Sequence, residues 1–153
     1  MIGHTVMMLS PWDSPVPLTR AWCLWELYCT VSVGAAFSVC LGPDEQAALE
    51  AALLDDSSAL VDAFAHIDVA GAEAGSEDDR AMILGAVRAA DGGTSALNAL
   101  AMAEMRRWVL GVAAGMVAAR RGVDGALVQR EGPLRDVSKL ATNLSKWCLL
   151  IKR

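Results

Sequence analysis

Thr5-Val6-Met7-Met8-Leu9-Ser10-Pro11, then Leu18 to Val33, then Ala36-Phe37-Ser38-Val39-Cys40-Leu41-Gly42-Pro43 is the stretch whose reading decides the fold. Its first piece is a short continuous apolar run stopped by Ser10-Pro11, the length and ending of a strand buried on both faces, as in parallel sheets. Pro11, Pro15 and Pro17 make the next segment a loop, because each ring fixes φ and removes a donor. From Leu18 the period changes: Leu18, Trp22, Trp25 and Cys29 recur at helical spacing, and Cys23, Leu27 and Val31 form a second stripe before Gly34. A helix apolar nearly all round is expected between layers, with Trp22 and Trp25 in the core. Ala36 to Leu41 is a second short apolar run. Strand, crossover helix, strand is a βαβ unit, and its strands run parallel.

Beyond Pro43 the pattern is helical. Asp44 to Leu54 carries Leu49, Leu53 and Leu54 on one face, with acids in the first turn where the helix dipole favours them. Ser57 to Ile67 reads as a short helix and Gly71–Gly75 as a loop. Ser76, with Asp79 three residues on, caps a helix that runs to Ala90 and is stopped by Asp91-Gly92-Gly93. A long helix follows from Ser95 to Arg121, carrying Leu97, Leu100, Met105, Trp108 and Val112. A further helix is expected over Leu134–Leu150. The fold class is therefore α/β: an incomplete parallel sheet of two or three strands containing the βαβ unit, followed by a mainly helical extension. Residues 1–55 form the βαβ half-domain, 56–121 the helical extension packed on it, and 122–153 a weakly patterned tail. Stable sheets usually have about five strands. Met1 stands just before the first strand, so further strands are expected upstream or from a partner, and the chain is expected to be a fragment of a multidomain protein.

Composition bounds the function. Of the 153 residues, 54% are hydrophobic and 20% charged, which excludes disorder and predicts a packed core. The net charge is −5, but Asp44 to Asp79 is almost purely acidic whereas Arg106 to Arg153 is mostly basic. The basic residues lie in scattered pairs without aromatic interleaving or a groove-reading motif, so no nucleic-acid partner is expected and the two halves are free to attract each other. Trp108 to Ala119 is apolar and has Gly111 and Gly115 at G-x-x-x-G spacing, but a span needs about twenty apolar residues. No membrane partner is expected; a buried helix with close backbone approach is. Cys23, Cys29, Cys40 and Cys148 show no ligand spacing, and no secretory leader is recognisable, which points to the cytoplasm and makes the Asn143-Leu144-Ser145 sequon a chance match. His4 and His66 are isolated, and no phosphate-binding or zinc motif occurs.

Chemistry, if present, sits around Ser10-Pro11-Trp12-Asp13-Ser14-Pro15 and Arg20-Ala21-Trp22-Cys23-Leu24-Trp25-Glu26-Leu27. Glu26 is the one carboxylate in its apolar helix, with Trp22 a turn before it, a setting that would desolvate it and raise its pKa. Pairing with Arg20 or simple solvation is the other reading. Trp12, in the loop, is the best candidate for an exposed recognition residue, whereas core packing fits Trp22 and Trp25 better than ring stacking on a nucleotide.

The segment Trp22-Cys23-Leu24-Trp25-Glu26-Leu27, preceded by an apolar strand ending in Ser10, resembles the second half of a plant-type Toll/interleukin-1 receptor (TIR) domain. The Pro11 to Pro15 and Arg20 to Cys23 variant is similar to TIR-like modules of algal and protist tetratricopeptide-repeat proteins, some of them kinesin-light-chain-like. That resemblance implies a signalling or scaffold module acting by protein–protein association, self-association included, with no cofactor. Its alternative is NAD hydrolysis with release of nicotinamide, in which Glu26 takes the catalytic position and Ser10, Trp12 and Trp22 lie beside the substrate, past the carboxyl end of the strand. A third reading is a truncated product without independent function.

Overall fold

The structure, a computed structural model, describes residues 3–55, 58–65, 67–124 and 139–145. Two strands, β1 (His4–Met8) and β2 (Ala36–Cys40), pair in parallel with Met7 opposite Val39, and α1 (Ala21–Ser32) connects them. Helices α2 (Pro43–Asp55), α3 (Ser58–Ala65), α4 (Glu77–Ala89) and α5 (Gly93–Asp124) follow. The chain is thus α/β with a helical extension, and both expected strands are present in the expected sense. Among the described residues no third strand joins the sheet.

Among the described residues the sheet is covered on one face only. Side chains alternate across a strand, so Thr5, Met7 and Leu9 share a face with Phe37, Val39 and Leu41. On that face Met7 and Leu9 are buried, and the β2 residues pack on the core. The opposite face carries Val6 and Met8, 55% and 64% exposed. The expectation of a strand buried on both faces is therefore corrected: a run of apolar residues says that a strand tolerates two cores, not that two are built.

Helix α1 fully buries one stripe where two were expected, while Trp25, expected in the core, is half-buried and packs against it. Ala21, Leu24, Leu27 and Thr30 face inward, while Trp22 is 37% exposed and is not among the side chains packed on the core. The small Ala21 and Thr30 let the helix lie close to the sheet. Thr30 donates to the Glu26 carbonyl at 2.7 Å and accepts from the Thr5 hydroxyl at 2.7 Å, so a short polar relay joins α1 to β1. At the other end, Arg20 gives α1 no side-chain cap. Ala21 N–H donates instead to the Glu73 carbonyl at 2.8 Å, and Glu73 N–H to Thr19 at 2.8 Å, which ties the expected 71–75 loop to the entrance of α1. A 3₁₀ turn, Val16–Thr19, occupies the end of the Pro-rich segment with proline in its first turn, where the missing donor costs nothing. Helix α1 stops in a Schellman motif: Ala35 N–H reaches the Thr30 carbonyl, Gly34 N–H reaches Val31, and Gly34 takes φ +70°.

The extension closes the same core. Ser76 caps α4 by accepting from Asp79 N–H at 3.1 Å, as the spacing predicts. Arg80 of α4 donates to the carbonyls of Ala70 and Ala72, each at 3.0 Å, and fixes the preceding turn. In α5 the buried stripe is Leu97, Ala101, Met105, Val109 and Ala113, with Leu100, Trp108 and Val112 beside it. Gly111 and Gly115 are exposed, and a Cβ on either would meet nothing within 4 Å. The expected close approach at the G-x-x-x-G pair is absent, because neither glycine lies on the buried stripe. Of the helix expected over Leu134–Leu150, residues 139–145 are helical. Asn143 there is buried and donates to the Leu53 and Leu54 carbonyls at 3.1 and 3.2 Å, satisfying the C-terminal end of α2. Lys139 pairs with Asp55 at 3.3 Å, one exposed link between the basic and acidic segments. The remainder of the 122–153 tail beyond Asp124, with Cys148, and His66 fall outside the described residues.

Candidate functional site

The residues singled out from sequence line neither the cavity beside the Pro-rich loop nor the cleft between β2 and α5. Ser10 is exposed at the carboxyl end of β1. Trp12, expected to be an exposed recognition residue, is only 8% exposed. Its backbone N–H donates to the Glu45 carboxylate of α2 at 2.6 Å, which draws the loop down and seats the indole in the core. Trp22 and Glu26, one turn apart, share the solvent face of α1. Glu26 is thus not desolvated as its apolar neighbourhood suggested, since the helix turns its other stripe inward. Among the described residues no ion pair joins it to Arg20. Its charge is felt by two thiols: burial first and Glu26 second push the Cys23 thiol up, with Arg20 opposing, and the same two causes push up Cys29.

A small cavity of about 140 Å³ does lie beside the Pro-rich loop, between Asp13, Ser14, Pro15 and Leu18 on one side and Asp62, Ala63 and Ile67 on the other. None of Ser10, Trp12, Trp22 and Glu26 lines it. No cluster of His, Cys, Asp and Glu able to hold a metal ion occurs among the described residues.

The larger opening is elsewhere. A cleft of about 470 Å³ separates β2 from α5, walled by Phe37, Val39, Trp108, Gly111 and Val112, with Ser38, Gln46, Glu104 and Arg107 supplying polar groups. That volume is in the range of ligand-binding clefts, ~300–1,000 Å³. Trp108 makes an edge-on contact with Phe64, centroids 6.4 Å apart. Glu104, 7% exposed, is paired with the Arg107 guanidinium, so its buried charge has a partner. The cleft went unread in the sequence, although a signal exists: Glu104, Trp108 and Gly111 recur at i, i+4 and i+7, placing an acid, an indole and a gap on one face of an otherwise apolar helix.

The chain has two partly built surfaces, an open sheet face and a cleft at the opposite sheet edge. No helix of the described residues is long and apolar enough to cross a membrane. Compared with known proteins, the chain matches no family model, no curated protein and no solved structure.

Proposed function

We propose that the protein is a TIR-like signalling or scaffold module that works by association with other proteins, a second copy of itself first among them. The observation that carries the reading is the open face of the sheet, with Val6 and Met8 in solvent. Exposed apolar side chains set together on one sheet face are the kind of surface through which proteins associate. The outer edge of β1 adds to it: His4-Thr5-Val6-Met7-Met8 contains no charge, proline or bulge, the devices that keep edge strands apart. An uncharged strand also pairs with its own copy without repulsion, which a two-fold contact requires. The Trp22 to Leu27 motif within a parallel βαβ unit supports the TIR-like part of the reading. A cytosolic setting belongs to the same proposal; Cys23, Cys29 and Cys40 are free thiols, the form a reducing compartment maintains.

Sedimentation velocity on the full chain tests this. The wild type is expected to associate with rising concentration, and Met8→Lys to stay monomeric with an unchanged circular dichroism spectrum. A wild type monomeric at every concentration, or a Met8→Lys variant that associates equally, overturns the reading. Nicotinamide release from NAD that is lost in Glu26→Ala would replace association by catalysis.

A further inference from the structure

The hydrogen bonds at the two ends of the strand ladder fix which backbone groups of β2 face β1. Ala36 N–H donates to the Gly3 carbonyl at 3.1 Å, and Leu9 N–H to the Cys40 carbonyl at 3.0 Å. In a parallel pair, alternate residues turn both main-chain groups to the same neighbour. Ala36, Ser38 and Cys40 therefore point theirs at β1, and Phe37 and Val39 point theirs away. Those are two of the residues that wall the cleft against α5. Two donors and two acceptors, repeating every second residue, thus point outward from the edge of β2 whose residues border the cleft.

We propose that this cleft binds an extended peptide, which adds to the outer edge of β2 as a third strand and lays an aliphatic side chain against Trp108 and Val112. A row of main-chain groups at two-residue spacing is complementary to another extended backbone. Backbone groups covered without partners are costly, so whatever fills this opening must satisfy them. The side-chain preference follows from the opposite wall, which is apolar from Trp108 to Val112. Glu104 and Arg107 neutralise each other and leave no net charge to select a charged residue. Gly111 gives the cleft its depth: it lines the space, and a Cβ there would meet nothing within 4 Å. The site is separate from the β1 face proposed for self-association, so either assignment can fail without the other.

The test uses the full chain, isotope-labelled, and a capped pentapeptide of alternating Val and Thr, titrated while amide resonances are followed. Saturable shifts are expected at Phe37 and Val39 and across the cleft wall of α5. The same peptide, N-methylated at the amides that meet β2, keeps its side chains but loses two hydrogen bonds, and should bind about tenfold more weakly. Gly111→Leu fills the cleft and should weaken binding by at least about tenfold. Gly115→Leu, one turn on and equally unobstructed, does not line the cleft and should bind as the wild type does. Both variants replace glycine in a helix by a better helix former, so folding is not at risk. No saturable shift, equal binding of the N-methylated peptide, or shifts confined to β1 overturns the proposal. Unchanged binding by Gly111→Leu does so too.

Discussion

Replacing Leu24 should cost the protein far more than replacing Trp22, although the indole is the larger side chain. Leu24 is 0% exposed and belongs to the inward stripe of α1. Truncation to Ala removes three buried carbons, about 2.4 kcal/mol at 0.8 kcal/mol each. A void of roughly 50 Å³ left by partial relaxation adds about 1.2 kcal/mol at 24 cal/mol per Å³. The sum, about 3.5 kcal/mol, lies within the range for Leu→Ala in well-packed cores. Trp22 keeps 37% of its surface in water and lies off the inward stripe of α1. Trp22→Ala should therefore cost about 1 kcal/mol, as for a peripheral contact. Urea unfolding followed by far-ultraviolet circular dichroism separates the two. With a slope of about 2 kcal/mol per molar, Leu24→Ala should lower the midpoint by nearly 2 M and Trp22→Ala by about 0.5 M. Equal losses, or a greater loss for Trp22→Ala, would mean that α1 is rotated and that the tryptophan stripe faces the sheet.

Gly34→Ala should destabilise by about 1–2 kcal/mol in the same assay, because Gly34 holds φ +70° with no neighbour to clash; the cost is backbone strain alone, and a neutral result would remove the Schellman stop. Ser76→Ala should cost about 1 kcal/mol through the lost cap on Asp79 N–H, with Ser76→Asp restoring it; equal stability of all three would refute the cap. For Cys23 and Cys29 the folded state favours the protonated thiol, so their contribution to stability is complete below the ordinary value of 9.0 and is lost as pH rises through the higher folded-state values. Iodoacetamide near neutral-to-alkaline pH should accordingly label Cys23 more slowly in the native chain than in urea, read by peptide mass spectrometry, and equal rates would contradict the burial that raises it.

What the sequence made legible was the part governed by local rules. Apolar runs bounded by Ser10-Pro11 and Gly42-Pro43 located both strands, and a helical period between them set their parallel sense. Ser76 and Asp79 located the start of α4 because a cap is a contact between near neighbours. What failed was the choice of face. Helix α1 has tryptophan, cysteine or leucine on every side, so periodicity could not say which stripe turns inward; the one that does carries Leu24, Leu27 and Thr30, the last bonded to Thr5 of β1. Trp12 reversed its expected exposure through a bond to Glu45, 33 residues away. Gly111 and Gly115 had the spacing of a close helix contact and none of its geometry. For the candidate residues, the elements that carry them were legible and their environments were not: Glu26 lost its expected desolvation to the same orientation of α1 that exposed Trp22. The cleft beside β2 depends on strand and helix residues about 70 positions apart, and no local pattern predicts such a meeting.

Self-association and peptide binding both require β1 and β2 to lie side by side in one direction, since that pairing creates the exposed face and, among the described residues, the outer edge of β2. Interstrand nuclear Overhauser contacts measure it directly. Cross-peaks linking Thr5 with Phe37 and Met7 with Val39, at one constant sequence offset, are the predicted result. An offset that reverses along the strands, or no contact between these segments, would contradict it.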